Sequence, residues 1–172
     1  RYRVQITRDS LGRFDAATVN MGQPGLLAWQ IPMAGVAQEE RVVELAIPDP
    51  ILDLLPADWS GWCADRFCSC VSMGNPHVVF FGHRPFPREW LVHLGPRIEQ
   101  ASCFPERANV HFAWVEEAGR ISMLTWERGA GATLACGSGA CAVLVASAMR
   151  GLSSVEADIV MPGGTVRVKE IG

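Results

Sequence analysis

Charge is sparse along this chain, at 19% of 172 residues, and nearly balanced: 15 basic and 18 acidic side chains leave a formal charge of -3. Such a balance suits neither a polyanion nor an anionic membrane surface, so nucleic acid and membrane are excluded as partners and a small molecule is the expected ligand. Long apolar runs are missing as well. The longest, Ala140 to Met149, supplies about half of the roughly 20 residues that a membrane span needs, and no transmembrane segment is expected. Six cysteines are too few for a disulfide scaffold, and no leader-like segment precedes them, so reduced thiols in a cytoplasmic compartment are the expectation. There is no internal repeat or low-complexity tract. The first residue is Arg1 rather than Met, which suggests a fragment.

Apolar residues, by contrast, are plentiful. At 49% hydrophobic the chain can build a core, and a domain of this size buries about 70% of the surface its unfolded chain exposes, so residues 1–172 are read as one ordered domain. Apolar side chains alternate at Tyr2, Val4 and Ile6; Ala17, Val19 and Met21; Val43, Leu45 and Ile47; Val110, Phe112 and Trp114; Ile121 and Met123; Ala157, Ile159 and Met161; and Val166 and Val168. A period of two with one apolar face predicts half-buried antiparallel strands. Turn residues at Asp9-Ser10-Leu11-Gly12, Glu116-Glu117-Ala118-Gly119 and Pro162-Gly163-Gly164 predict at least three hairpins. Pro48 to Arg66 reads as a loop with a short helix near Ile51 to Leu55.

Two longer helices are expected. Arg88 to Ala101 has Leu91, Leu94 and Ile98 near helical spacing, with Gly95-Pro96 predicted to break it in two. Ser138 to Arg150 is apolar on every side, Ser147 being its only polar interior residue, and Gly151 stops it. A helix apolar all round must be surrounded. The expected fold is therefore α+β: an antiparallel, strand-rich barrel wrapped around a central apolar helix.

The N-terminus of that helix carries the most chemistry. Cys136, Gly137 and Ser138 fall where unpaired backbone N–H groups and the positive end of the helix dipole make an anion site. The same field lowers a thiol pKa, which would poise Cys136 as a base beside a bound carboxylate, the arrangement needed to remove a proton from an amino acid's α-carbon. The plainer alternative is a small buried cap residue with glycines that only allow close packing. Gly74-Asn75-Pro76-His77 is a second candidate, a turn that can present an amide and an imidazole at a sheet rim. Pro105-Glu106-Arg107-Ala108-Asn109 is a third, leading into a strand. Either can equally be ordinary turn chemistry. His83, His93 and His111 read as surface or satisfied polar residues. Cys63, Cys68 and Cys70 lack a fourth ligand and paired spacing, so no metal is expected.

Met73-Gly74-Asn75-Pro76-His77, Phe104-Pro105-Glu106-Arg107-Ala108-Asn109, Trp126-Glu127-Arg128-Gly129-Ala130-Gly131, Leu134-Ala135-Cys136-Gly137-Ser138-Gly139-Ala140-Cys141 and Met161-Pro162-Gly163-Gly164 together strongly resemble the diaminopimelate epimerase family, with Val19-Asn20-Met21-Gly22 resembling a further block. The resemblance implies an enzyme without cofactor that interconverts LL- and meso-diaminopimelate in lysine and peptidoglycan-precursor biosynthesis. It implies two similar halves, each a strand-rich barrel around a helix, with one cysteine from each as opposed bases. Cys136 would be the cysteine of the second half, and Gly137 and Ser138 would hold the α-carboxylate. Asn75, Asn109, Glu127 and Arg128 would hold the distal amino and carboxylate groups, while His77 and Glu127 tune the thiol and close the site.

The family's first half, with its Cys-Gly-Asn-Gly motif, is absent, and no other cysteine here precedes a glycine. Ala132 stands where many members carry Glu. The implied partners are diaminopimelate, the N-terminal half of the same enzyme and a second copy in a homodimer. Alternatives are a proline racemase-like or phenazine-pathway-like isomerase with the same fold, a non-catalytic anion-binding domain, or a thiol hydrolase using Cys136 and His77.

Overall fold

The computed structural model describes residues 3–63 and 65–171. Tyr2, the first apolar position of the first expected strand, lies outside them. β1 (Arg3–Arg8) and β2 (Phe14–Asn20) form an antiparallel two-stranded ribbon. Its turn is built by the Asp9 carboxylate, which accepts from the backbone N–H of Leu11 and Arg13 at 2.9 Å each. The alternation in these strands predicts one buried face, but every residue of both is exposed. Among the described residues no third strand pairs with this ribbon, and two strands alone have no face to bury.

The rest of the chain builds one sheet. Its strands are β3 (Leu45–Ala46), β4 (Phe67–Ser72), β5 (Pro76–Gly82), β6 (Asn109–Glu117), β7 (Arg120–Glu127), β8 (Gly131–Thr133), β9 (Glu156–Met161) and β10 (Gly164–Lys169). The order is β10-β9-β7-β6-β5-β4-β3, with β8 pairing the far end of β7 beyond β9. The α-helices among the described residues are α1 (Asp49–Leu52), α2 (Arg88–Glu99) and α3 (Gly137–Met149).

The fold is α+β and strand-rich, and all three expected hairpins form. Two pairings are parallel instead of antiparallel: β5 with β6, and β7 with β9. In each case a helix, α2 or α3, lies between the paired strands and returns the chain to the end from which it started.

α3 lies against β4, β5, β6, β9 and β10. Val71, Val79, Phe81, Ala113, Ile121, Met123 and Ile159 meet Ala140, Val143 and Leu144 of the helix in one core. Burial of each such Val, Leu or Ile stabilises the fold by about 2 kcal/mol. Ser147, as expected, is buried and satisfied: its hydroxyl donates to Leu144 O at 2.8 Å and lies 2.7 Å from Ser153 Oγ. The opposite face of the sheet packs on α2 and the Pro48–Trp62 segment, where Trp59, Trp62, Phe80, Phe86 and Phe112 form an aromatic cluster.

α2 runs unbroken through Gly95 and Pro96, against expectation. Pro96 is near the C-terminal end, where losing one N–H breaks a single intrahelical bond, and burial of Leu91, Leu94 and Ile98 outweighs that loss. Gly95 is required for packing: a Cβ there would lie 2.5 Å from Trp126 Cγ. The contact seats α2 on β7 beside the Glu127-Arg128-Gly129 turn.

Candidate active site at the start of the buried helix

Cys136 is the N-cap of α3, with extended backbone angles (φ -142°, ψ 105°), and only 5% of it is exposed. Its backbone N–H donates to Met161 Sδ at 3.3 Å, and the Gly163 N–H donates to Leu134 O at 2.7 Å. The Pro162-Gly163-Gly164 turn thus clamps the segment that carries the cysteine. A Cβ on Gly163 would come 2.9 Å from Leu134 O. The thiol Sγ accepts the Gly139 N–H at 3.4 Å and lies 3.7 Å from Ser138 Oγ. The backbone N–H groups of Gly137 and Ser138 have no partner among the described residues, as expected for the first turn of a helix.

The expected low thiol pKa is not found. Burial pushes Cys136 up from 9.0 to about 11; the Gly139 N–H and the Ser138 hydroxyl pull it down, and the Glu127 carboxylate pushes it further up. Removing a thiolate from water outweighs the helix terminus, so the resting group is a protonated thiol.

Glu127 ends β7 and faces Gly131 of β8; its carboxylate accepts the Thr133 hydroxyl at 2.6 Å. Asn109, 3% exposed, opens β6. Its Nδ2 donates to Pro76 O at 2.9 Å and its Oδ1 accepts the Arg128 N–H at 3.0 Å. One N–H and the oxygen of the amide are engaged with backbone, so Asn109 ties the blocks at Pro76 and Arg128 together, and its second N–H is uncommitted among the described residues. Arg128 is exposed, and its Nη1 donates to Glu106 O at 2.8 Å.

Asn75 is half-buried on the turn before β5, where Gly74 takes a positive φ of 88°. Its Oδ1 lies 2.9 Å from His77 Nε2; His77 Nδ1 lies 2.8 Å from His111 Nε2; His111 Nδ1 lies 3.0 Å from Thr125 Oγ1. Burial first, then the Arg128 charge, lowers His77 from 6.5 to about 3. Burial and His77 hold His111 well below its ordinary value. Both rings are neutral. Gly139 separates this chain from the thiol: a Cβ there would meet His111 Cε1 at 2.5 Å and Cys136 Sγ at 3.1 Å.

His83 and His93 are exposed, as expected, and His111 is a satisfied polar residue, but its place beside the site was not expected. The pattern held a signal: with Val110 and Phe112 on one face of β6, Asn109, His111 and Ala113 fall on the other. Glu99 carried no such signal. At the end of α2, it accepts the Trp126 indole N–H at 2.8 Å and the Gly129 N–H at 3.1 Å, holding the turn that displays Glu127 and Arg128.

The family model for diaminopimelate epimerase matches residues 69–171, more than half of the chain, and so takes in every group just described. The chain belongs to the diaminopimelate epimerase family. Among curated members, the diaminopimelate epimerase of Thermosynechococcus vestitus is 41% identical over 157 residues, covering 88% of this chain and 50% of that protein. That of Methylorubrum populi is 41% identical over 155 residues, covering 88% and 48%. The chain thus spans about half the length of the curated epimerases it matches. A solved PhzF-family phenazine biosynthesis protein from Enterococcus faecalis gives a TM-score of 0.44 at 13% identity, covering 56% of this chain and 34% of that one.

Proposed function

We propose that this chain forms the C-terminal half of a cofactor-independent diaminopimelate epimerase and supplies one of its two acid–base cysteines. The observation that carries the reading is the Cys136 thiol, buried at the α3 N-terminus next to the Gly137 and Ser138 amides, which have no partner among the described residues. Those two N–H groups take the substrate α-carboxylate, where negative charge grows as the α-proton leaves. A thiolate from the N-terminal half removes the proton from one face of Cα, becoming a thiol. The Cys136 thiol gives its proton to the opposite face and becomes a thiolate; the reverse reaction exchanges their parts. The raised pKa of Cys136 suits the donor role in the resting state.

Asn75, Glu127 and Arg128 bind the distal amino and carboxylate groups. Asn109 braces the turns that carry them, and His77 fixes Asn75. We assign the reaction to the cytoplasm, where the six unpaired thiols stay reduced. Among the described residues no helix is long and apolar enough to cross a membrane.

The test is solvent exchange in D2O with the complete gene product that contains this chain. Deuterium is expected at Cα of diaminopimelate but not of proline, and Cys136→Ala is expected to slow the exchange by about 10²-fold or more. Undiminished racemisation in that variant overturns the assignment of Cys136.

A further inference from the structure

The buried chain Thr125–His111–His77–Asn75 has two ways to place its protons, and they point opposite faces of the Asn75 amide at a ligand. In one, the Thr125 hydroxyl donates to His111 Nδ1, His111 Nε2–H donates to His77 Nδ1, and His77 Nε2–H donates to Asn75 Oδ1. In the other, every bond is reversed: both rings carry the proton on Nδ1, Thr125 only accepts, and the Asn75 amide turns over so that its NH2 meets His77. Neutral rings allow both.

The Thr125 hydroxyl decides between them. Thr125 is 3% exposed, and among the described residues His111 Nδ1 is the only partner of its Oγ1. In the reversed arrangement its hydroxyl proton has no acceptor among the described residues, and an unpaired buried donor is costly. In the first arrangement the hydroxyl proton and both ring protons are used. The amide Nδ2 of Asn75, which has no protein partner among the described residues, is then the end left free for a ligand, and the Arg128 charge is close enough to be felt at His77.

We infer that His111 is a positioning residue that passes the polarity of the Thr125 hydroxyl through His77, locking Asn75 with its NH2 toward the ligand as a carboxylate donor. This rests on the proposed function for the identity of the ligand, a distal carboxylate, but not for the direction of the chain. With its oxygen held by His77, Asn75 offers only N–H to the site, as Arg128 does, and so favours a carboxylate over an ammonium at that position.

The direction is read on the wild-type chain itself by long-range 1H–15N correlation spectra at pH 7. Both His77 and His111 are expected to carry the proton on Nε2, with Nδ1 bare. A proton on Nδ1 of either ring overturns the inference, whatever the enzyme's activity. His111→Leu is expected to change the His77 ring-nitrogen shifts and, in the complete enzyme, to raise KM for diaminopimelate about tenfold with kcat within about twofold. His111→Gln, which keeps a donor toward His77 Nδ1, is expected to restore KM. Unchanged His77 shifts in His111→Leu, or a loss confined to kcat, overturns the positioning role. Absence of diaminopimelate turnover in the wild-type enzyme, with the expected tautomers present, counts against the proposed function and leaves the chain's direction standing.

Discussion

Burial and hydrogen bonding pull the Cys136 thiol in opposite directions, and burial wins. With its pKa at about 11, little thiolate exists at neutral pH, so alkylation by iodoacetamide is expected to be slow at pH 7 and to climb steeply as pH approaches 11. The Glu127 carboxylate contributes to that high value. Glu127→Gln is therefore expected to lower the pKa and speed alkylation at pH 8, and slower alkylation in that variant would show that the charge does not reach the thiol. The two buried imidazoles bring a second pH dependence. Both have folded pKa values lowered from 6.5, His77 to about 3, so their contribution to stability is complete above pH 6.5 and is lost as pH falls toward 3. In urea unfolding, stability is expected to fall by up to about 1.4 kcal/mol per pH unit from His77 across that window, with His111 acting in the same direction. A pH-independent free energy between 6.5 and 4 would mean that the rings are charged in the folded protein.

Among the elements, α3 was the most legible, because a helix without a polar face has only one place to go. The hairpins were legible because aspartate and glycine fix the turn chemistry locally. Parallel pairing was not, since nothing in the alternation of β5 or β7 tells which neighbour a strand will take once a helix intervenes. The unbroken α2 was missed for a related reason: Gly95 and Pro96 read as breakers until Trp126 fills the space that Gly95 leaves. The candidate site was legible as separate blocks, but not the bonds between them, such as those of Asn109 to Pro76 and Arg128. Within α3 the glycines differ in what they allow. Gly139→Ala would push a methyl into His111 and the Cys136 thiol and is expected to destabilise the chain by about 1–3 kcal/mol. Gly137 faces open space, and Gly137→Ala is expected to leave stability unchanged or raise it by up to about 1 kcal/mol. Denaturation midpoints of the two variants check the contrast, and equal effects would remove the argument that His111 and the thiol share the space beside Gly139.

At the scale of the whole molecule, stability is unevenly distributed. β4 to β7 are covered on one face by α3 and on the other by α2 and the aromatic cluster, so their hydrogen bonds open only when both layers part. Among the described residues the β1–β2 ribbon pairs only with itself, and Val4, Ile6, Phe14 and Val19 on it are exposed. An isolated two-stranded ribbon is marginally stable, and the Asp9 turn with its Arg13 ion pair adds little at a solvent-exposed site. Native-state hydrogen exchange should separate the two regions. Ribbon amides such as those of Ile6 and Val19 are expected to exchange through local opening, at rates insensitive to low urea. Those of Phe112 and Leu124 are expected to exchange only through an opening as large as global unfolding and to accelerate with urea. Equal protection in the two regions would mean that the ribbon unfolds together with the sheet, and that its exposed apolar residues are held by contacts stronger than its own cross-strand pairs.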